Sequence, residues 1–517
     1  MNKILLINPG HHDPGAHEMY KKKAYRQIHR DPPPISLLYV ASHLQENGFE
    51  VEIFDTHIEE NYRELITKKI KTNDYLCVGL TIIIGRFLKN AREITELIRS
   101  VKPDLPVVWG GIMASIMPEE CLKEYKPDYI VRYEGEQTFL ELAWALKKKT
   151  DVGAITGLSY TRQNKFVNNP PRVPKLVLDD YAIPDWELFG DYFNKKQVPY
   201  YFLIMSSRGC IFNCKFCYKH SMDEYLRASV PPWRYRSANH VIAEIEDIHK
   251  KTGATVFSFG DDNFIVNKAR ALEILAYFRK NNFYIEECLG HLNCLDDELI
   301  DAMAGIVQTY AFNVETASVR LQKYINKGIT LESVPVKVKK LYDKGIAAST
   351  GFIIGLPTET DEDLRNNVEM MLELKKISPF TRGDAYLFLP LPKTQLADDV
   401  EELYKIKLPT AISEWEDANL WVKGVDDDMG KKFRPWMSHE RFKFLVNYGT
   451  VFNELFKTNN SKMDKNILQI LDDNQSLKKM FRGIKSVNHP KTDYRPYVLS
   501  RALDGEKIDL INDLKNK

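Results

Sequence analysis

The sequence predicts an α/β protein in which a doubly wound parallel sheet precedes an incomplete (β/α)6 barrel and a mostly helical C-terminal region. Three observations lead to this prediction. Short apolar runs of β type alternate with helical periodicity over residues 1–150, and a second series of the same kind occupies residues 200–395. From residue 396 to 517 the β-type runs stop, and charged and aromatic helical segments replace them.

Length and composition restrict the class of protein. A chain of 517 residues is too long for one core, and three domains are the natural expectation. With 44% apolar and 28% charged residues, wholesale disorder and a disulfide-stapled miniprotein are excluded. Since 72 Lys and Arg balance 71 Asp and Glu, there is no overall basic field, and no nucleic-acid partner is indicated.

The first β/α series, residues 1–150, contains five predicted strands separated by helix-length segments. Such a series assembles into a flavodoxin- or Rossmann-like sheet, which binds ligands at the carboxyl ends of its strands. The predicted strands are Ile4–Ile7, Val51–Phe54, Tyr75–Leu80, Val107–Trp109 and Tyr129–Val131.

A proline-rich stretch, residues 151–199, is predicted to link the two series and to contain a hairpin over Gly157–Tyr160 and Lys165–Val167. Six predicted strands follow, which suggests a partial barrel of the TIM type. These strands are Tyr201–Met205, Val256–Phe259, Tyr284–Glu287, Tyr310–Val314, Ala347–Ile354 and Ala385–Leu389.

Several features favour a cytoplasmic protein. The apolar run Ile4–Ile7 is too short for a signal peptide and is expected to form the first strand. No stretch reaches the roughly 18 apolar residues of a membrane span. The seven cysteines are odd in number, and three of them lie within eight residues, which favours ligands over disulfides.

Those three cysteines, Cys210, Cys214 and Cys217, form a C-x3-C-x2-C loop directly after a predicted strand. Thiolates hold iron–sulfur clusters, and three of them on a 4Fe-4S cube leave one iron open for another ligand. Zinc is the alternative, because His220 completes a Cys3His set. Zinc sites usually draw their ligands from two separated knuckles, which favours the cluster.

This loop resembles the signature of the radical S-adenosylmethionine superfamily, including the aromatic Phe216 just before the last cysteine. The resemblance implies that the three cysteines bind a 4Fe-4S cluster and that S-adenosylmethionine chelates its open iron. One-electron reduction then cleaves the sulfonium and yields a deoxyadenosyl radical. A low-potential electron donor such as flavodoxin or ferredoxin is the partner that this chemistry implies.

Further motifs of the superfamily follow successive predicted strands, where a β/α barrel places its active site. The resemblance implies that Asp261 or Asp262 accepts from the methionine amino group and that Glu315 binds the ribose hydroxyls. Gly355, in a G-x-I-x-G-like element, is the implied approach to the adenine. Each of these three motifs alone is typical of a helix N-cap or a turn, but together with the cysteine loop, and in this order, they favour the cofactor site.

The first 150 residues resemble the cobalamin-binding domain that is fused to many of these enzymes. Thr81, Gly110 and Gly111 are the predicted cobalamin contacts, because small residues let the backbone approach a corrin. Two departures from the pattern stand out: no D-x-H-x-x-G motif follows the first strand, and Met113 occupies a position where relatives often carry histidine. No axial ligand is therefore predicted.

The resemblance implies a cobalamin-dependent radical enzyme, and a C-methyltransferase acting on an unactivated carbon of a small molecule or peptide is the leading hypothesis. A non-methylating radical enzyme, a cyclase or one that catalyses a rearrangement, is the first alternative. A zinc-stabilised binding protein is the alternative from another class. No catalytic side chain is assigned, and the substrate is not identified.

Overall fold

The computed structural model of this protein describes residues 2–10, 33–59, 61–190, 202–219, 229–418, 427–456 and 465–481. The chain divides into two compact units, each with its own sheet. The first unit comprises Met1–Val198, Ser221–Pro231 and Leu408–Ala418. The second unit comprises Pro199–His220, Pro232–Lys407 and Asn419–Lys517.

The first unit contains a seven-stranded sheet in the order β2-β1-β3-β4-β5-β6-β7. Strands β1 to β5 are parallel, and their order is the flavodoxin-like order of a doubly wound sheet, as predicted. The strands are β1 (Lys3–Asn8), β2 (Glu50–Asp55), β3 (Tyr75–Thr81), β4 (Val107–Gly110), β5 (Tyr129–Val131), β6 (Leu158–Arg162) and β7 (Lys165–Asn168). The helices are α1 (Ile35–Glu46), α2 (Tyr62–Thr72), α3 (Arg86–Val101), α4 (Ile112–Ile116), α5 (Pro118–Glu124) and α6 (Gly135–Lys148).

The hairpin predicted after residue 151 is present as β6 and β7, and it extends the first sheet. Its turn residues Gln163 and Asn164 have φ of 51° and 60°, as a two-residue hairpin turn requires. β6 pairs antiparallel with β5, with Tyr160 opposite Tyr129. This part of the predicted linker therefore continues the sheet of the first unit.

The core of the first unit lies between the sheet and its helices. β3 is buried along nearly its whole length because it is a central parallel strand covered on both faces. At Gly79 an added Cβ would lie 2.7 Å from Leu6 and 2.9 Å from Phe139, so glycine allows helix α6 to approach the sheet closely.

Leu408–Ala418, which we call the strap, belongs to the first unit although it follows the barrel in sequence. The Glu124 carboxylate accepts from the backbone amides of Ile412 and Ser413 at 3.0 Å each. Glu416 pairs with Arg92, with Nε to Oε1 at 2.8 Å, and accepts from the Tyr125 hydroxyl at 2.7 Å. The strap is thus held by side chains of α3 and of the α5 region.

The second unit contains a six-stranded, wholly parallel sheet in the order β15-β14-β13-β12-β11-β8. The strands succeed one another in chain order, as in a barrel, and within the described residues the two edge strands do not pair. The predicted partial barrel is therefore confirmed. Its strands are β8 (Phe202–Ile204), β11 (Val256–Phe259), β12 (Tyr284–Leu289), β13 (Val307–Glu315), β14 (Ala347–Ile354) and β15 (Arg382–Leu387).

Helices alternate with these strands, and a short antiparallel pair, β9 (Ser207–Gly209) with β10 (Trp233–Tyr235), stands apart from the main sheet. The helices are α7 (Ala238–Thr252), α8 (Lys268–Asn281), α9 (Asp297–Met303), α10 (Val319–Tyr324), α11 (Ser333–Asp343), α12 (Asp361–Ile377) and α13 (Gln395–Tyr404).

The described part of the C-terminal region is helical beyond the strap, as predicted, with α14 (Asp427–Lys432), α15 (His439–Phe456), α16 (Lys465–Asp473) and α17 (Gln475–Met480). Helix α15 packs on the edge of the barrel sheet, where the Asn453 side chain hydrogen-bonds both backbone groups of Ala385. Within the described residues, none of the helices combines the length and apolar character needed to cross a bilayer.

Candidate active site

The three cysteines of the predicted cluster lie in one loop, which leaves the short strand β9 at the carboxyl end of β8. Cys214 is buried, Cys210 and Cys217 are partly exposed, and all three are free thiols. Burial raises the pKa of Cys214 to about 12, and the other two thiols contribute to that shift. The three sulfur atoms are therefore near enough to interact electrostatically.

A short segment after helix α10, Ile325–Gly328, fastens this loop; we call it the clamp. The Lys215 amide donates to the Ile325 carbonyl at 3.0 Å. The Asn326 side chain donates to the Asn213 carbonyl at 2.7 Å. The two bonded loop residues, Asn213 and Lys215, lie on either side of Cys214. The clamp therefore fixes the backbone of the loop at its middle cysteine.

His291, which follows β12, supports the loop from another side. Its ring stacks on Phe212, with centroids 3.5 Å apart and an interplanar angle of 17°. Its Nε2 lies 3.2 Å from the Lys327 carbonyl, so this nitrogen carries the proton and donates. Burial, with the nearby Lys327 ammonium, lowers the pKa of His291 to about 4. The imidazole is therefore neutral at pH 7, and it packs between Phe212 of the loop and the Lys327 carbonyl.

Asp261, one of the two candidates after β11, is 1% exposed and faces inward. Its carboxylate accepts from the Ser206 hydroxyl at 2.9 Å and from the Ser207 hydroxyl. Burial raises the pKa of Asp261, while Arg270 and the two serines act in the opposite direction. Asp261 therefore holds the strand that leads into the cysteine loop.

Asp262, its neighbour, is partly exposed and forms an ion pair with Lys219, two residues beyond the last cysteine. Of the two carboxylates, Asp262 is thus the one at the surface beside the cysteine loop. Its contact with the methionine amino group stays a prediction.

Glu315 ends β13 in a left-handed conformation, with φ of 68°. Its side chain is buried, and Oε1 lies 3.1 Å from Nζ of Lys327, whose side chain is 11% exposed. A non-glycine residue in this region is strained, and such strain is common at ligand sites. The predicted contact with ribose stays a prediction, and the structure adds the lysine partner.

Gly355 follows β14 with φ of 79°. An added Cβ would lie 3.0 Å from Met437 and 3.2 Å from Leu445, so packing against the C-terminal helical region also requires glycine here. Its amide donates to Glu359 Oε2 at 2.6 Å. The adenine contact predicted for this backbone stays a prediction.

Thr81, Gly110 and Gly111, predicted to contact cobalamin, meet at the carboxyl edge of the first sheet. Thr81 is the register partner of Gly110. At Gly111, with φ of 92°, an added Cβ would lie 2.7 Å from the Ile82 carbonyl oxygen and 3.1 Å from Thr81 Oγ1. The structure therefore brings the three residues together, in a turn that only glycine can make.

The donor set fits an iron–sulfur cluster. Each thiolate of such a cluster binds a different iron, so the sulfur atoms need not converge on one point. Within the described ranges, no three His, Cys, Asp or Glu side chains are arranged to hold a single metal ion. His220, the fourth ligand of the zinc alternative, lies outside the described residues. The carboxyl edge of the first sheet presents backbone and the small residues Thr81, Gly110 and Gly111, which fit a broad, flat ligand such as a corrin.

Two family profiles match the chain: the B12 binding domain over residues 22–143 and the Radical SAM superfamily over residues 204–371. An uncharacterized methyltransferase of Pyrococcus horikoshii is 33% identical over 398 residues, which is 76% of this chain and 82% of that protein. The chain belongs to the radical S-adenosylmethionine family with a B12-binding domain. The predicted family, its enzymatic character and its cofactors, a 4Fe-4S cluster, S-adenosylmethionine and cobalamin, are confirmed.

Other comparisons agree with this family. An anaerobic magnesium-protoporphyrin IX monomethyl ester cyclase of Rubrivivax gelatinosus is 28% identical over 71% of this chain and 65% of that protein. The radical S-adenosylmethionine methyltransferase TsrM of Kitasatospora setae has a TM-score of 0.62 at 20% identity, covering 78% of this chain and 75% of that one. OxsB, a cobalamin-dependent S-adenosylmethionine radical enzyme, has a TM-score of 0.65 at 17% identity, covering 100% and 80%. These two likenesses establish the fold.

Sequence reasoning did not assign the side chains that support the loop: Ser206, Ser207, Asn326 and the stacked Phe212 with His291. Their partners lie far away along the chain, 113 residues in the case of Asn326 and Asn213. Only a fold could reveal such contacts.

Proposed function

We propose that this protein is a cobalamin-dependent radical S-adenosylmethionine C-methyltransferase that acts on an unactivated carbon of a small molecule or peptide. The observation that carries the proposal is the presence, in one chain, of a three-thiol loop on a parallel barrel and a glycine-lined edge on a B12-binding sheet. The 33% identical relative is itself a methyltransferase by name, which supports the same reaction class.

Cys210, Cys214 and Cys217 would hold the cluster, and Thr81, Gly110 and Gly111 would contact cobalamin. When bound, the cluster with S-adenosylmethionine supplies a hydrogen-abstracting radical, and cobalamin supplies the methyl group.

The candidate residues of the second unit would contact different groups of S-adenosylmethionine. Asp262, at the surface beside the loop, would accept from its amino group, whereas Asp261 holds the loop in place. Glu315, held by Lys327, would accept from the ribose hydroxyls. The Gly355 backbone would approach the adenine.

A low-potential one-electron donor such as flavodoxin or ferredoxin is the partner that this chemistry requires. We infer a cytoplasmic location, since none of the seven cysteines is paired in a disulfide and reducing compartments keep cysteines in that state.

Product analysis tests the proposal. The protein, purified without oxygen and supplied with hydroxocobalamin, is incubated with S-adenosylmethionine, a chemical reductant and extracts containing candidate acceptors. Formation of both S-adenosylhomocysteine and deoxyadenosine is expected, and a Cys210→Ala/Cys214→Ala/Cys217→Ala variant should form no deoxyadenosine.

The cyclase relatives provide the competing reaction class, and the same assay separates the two. Deoxyadenosine without S-adenosylhomocysteine, in the presence of bound corrin, would overturn methyl transfer and favour cyclisation or rearrangement.

A further inference from the structure

The strap, Leu408–Ala418, contacts the loop that leaves the carboxyl end of β3. The Gly85 amide donates to the Trp415 carbonyl at 3.1 Å. At Gly85, with φ of 74°, an added Cβ would lie 2.4 Å from the Ala418 carbonyl oxygen, so the strap packs directly against this glycine. The strap therefore fixes the end of the loop, just before helix α3 begins.

The same loop, Ile82–Gly85, which we call the β3 loop, is bound at its other end to the predicted cobalamin contacts. The Ile82 amide donates to the Gly110 carbonyl at 2.7 Å, and the Ile82 carbonyl accepts from the Met113 amide at 3.3 Å. An added Cβ at Gly111 would lie 2.7 Å from that Ile82 carbonyl oxygen. The β3 loop is thus held at its start by the turn after β4 and at its end by the strap.

Between these two ends the β3 loop exposes apolar side chains beside the predicted contact Thr81. Ile83 is 39% exposed, and Ile84 is partly exposed. A loop of four residues that is held at both ends has few conformations left, so its side chains are ordered before a ligand binds. The strap therefore contributes to the order of the β3 loop at the carboxyl edge of the first sheet.

Glu416 is the side chain that fastens the strap to the first unit close to this loop. Its Oε1 accepts from Arg92 Nε at 2.8 Å and from the Tyr125 hydroxyl at 2.7 Å. The Glu416 side chain is only 13% exposed, which shields the ion pair from solvent. Loss of this carboxylate would release the strap next to the residues that bind Gly85.

We propose that the strap is part of the cobalamin site of the first unit, with Glu416 as a positioning residue: it holds the β3 loop in the conformation that receives the corrin. The B12 binding profile ends at residue 143, so the strap is an addition that this profile does not contain. The inference rests on the cobalamin of the proposed function, but it does not depend on the cluster, on methyl transfer or on the acceptor.

Equilibrium dialysis of the full-length, cluster-loaded protein against hydroxocobalamin, without S-adenosylmethionine, tests the proposal. Glu416→Ala should raise the dissociation constant about tenfold, because the loop would spend only about a tenth of its time in the binding conformation. Gly85→Ala should have an effect of similar size, since the new Cβ would push the strap away. Glu416→Gln keeps Oε1 as an acceptor and should recover most of the affinity. Iron per chain should stay at the wild-type value in all three variants.

The first unit offers a matched control for the carboxylate. Glu52 on β2 also accepts from a tyrosine hydroxyl, that of Tyr75 at 2.6 Å, and pairs with Lys69. Tyr75 is the first residue of β3, so this group lies towards the amino ends of the strands, away from the predicted ligand edge. Glu52→Ala should therefore destabilise the first unit without changing the affinity for hydroxocobalamin.

Gly48→Ala is the matched control for the glycine. Gly48 also has a positive φ, of 85°, but an added Cβ there would meet nothing within 4 Å. The substitution therefore introduces the same backbone strain as Gly85→Ala without contact to the strap, and hydroxocobalamin should bind as it does to the wild type.

Equal dissociation constants for the wild type, Glu416→Ala and Gly85→Ala would overturn the proposal. A loss of affinity in Glu52→Ala as large as that in Glu416→Ala would also overturn it, because general destabilisation would then explain both. If Glu416→Ala and Gly85→Ala do not fold, Tyr125→Phe decides: the affinity should fall about twofold or more, and an unchanged affinity contradicts the proposal.

The same measurement separates this proposal from the proposed function. A wild-type protein that binds no hydroxocobalamin would overturn both. Absence of methyl transfer, with the predicted differences in affinity intact, would count against the proposed function alone.

Discussion

The hydroxyl of Ser206 donates to the carboxylate of Asp261 at 2.9 Å, so Asp261, two residues after β11, is tied to the segment that enters the cysteine loop. Arg270 completes this network, since its Nη2 donates to the Ser206 carbonyl at 2.9 Å. An aspartate that sequence motifs assign to the cofactor thus acts, in the structure, as the support of the cluster loop.

Replacing Asp261 by alanine should lower the free energy of unfolding by about 3 kcal/mol, because Ser206 and Ser207 would lose their buried acceptor and Arg270 would lose a nearby carboxylate charge. Asp262→Ala, at the partly exposed neighbour, should cost less than about 1 kcal/mol but weaken binding of S-adenosylmethionine. Chemical denaturation and equilibrium binding measure the two effects. Equal stability of the two variants would contradict the assigned roles.

Phe212→Ala should reduce cluster loading, because it removes the ring that stacks on His291 and leaves the loop with fewer fixed contacts. Iron per chain after anaerobic reconstitution should fall to roughly half or less of the wild-type value. Ile211→Ala is the control, since Ile211 is an adjacent residue that is 47% exposed. Indistinguishable iron contents in the two variants would refute a supporting role for the stack.

Gly111→Ala should destabilise the first unit by about 2 kcal/mol or more, because its φ of 92° is open only to glycine and the new Cβ would meet the Ile82 backbone. Gly110→Ala is the control for stability alone, because its Cβ would lie at an ordinary 3.4 Å from the Val131 carbonyl oxygen. Circular dichroism during unfolding and corrin bound per chain are the measurements. A Gly111→Ala protein with wild-type stability and corrin uptake would disprove the claim that this turn requires glycine at position 111.

Glu359 makes the stability of the second unit depend on pH. Burial raises the pKa of Glu359 to about 8, although the Gly355 amide and Arg441 act in the other direction. The folded state therefore binds a proton that the unfolded chain releases near pH 4.5, so the free energy of unfolding falls as pH rises from about 4.5 to 8.

Glu359→Gln should remove this dependence and should be the more stable protein at pH 8, by on the order of 3 kcal/mol. Denaturation series at several pH values measure it. Glu362→Gln, at an exposed position on helix α12, is the control. Parallel pH profiles for the wild type and Glu359→Gln would show that the buried carboxyl is not responsible.

Much of the fold could be predicted from apolar periodicity alone. Val256–Phe259 and Ala347–Ile354 have the predicted bounds, because central parallel strands are buried on both faces and are read as continuous apolar runs. β13 begins at Val307, before the predicted Tyr310, because Gln308 and Thr309 are polar although they are buried. Similarly, β15 begins at Arg382, before the predicted Ala385, because its first residues include the polar Arg382 and Asp384.

The site could be predicted only in part. The spacing of the three cysteines identifies the cluster loop, since the three ligands lie close together in the sequence. The choice between Asp261 and Asp262 depends on which side chain faces inward at the end of a strand, and one residue of register decides this. The pairing of Lys327 with Glu315 depends on how a turn folds back across the barrel, which no local pattern records.

Metal analysis of anaerobically purified protein tests the central claim most directly, that one chain holds both an iron–sulfur cluster and a corrin. The account predicts about four irons and about one cobalt per chain, with iron lost and cobalt retained in the Cys210→Ala/Cys214→Ala/Cys217→Ala variant. Zinc in place of iron would contradict the cluster, and iron without cobalt after growth with hydroxocobalamin would contradict the cobalamin-dependent reaction.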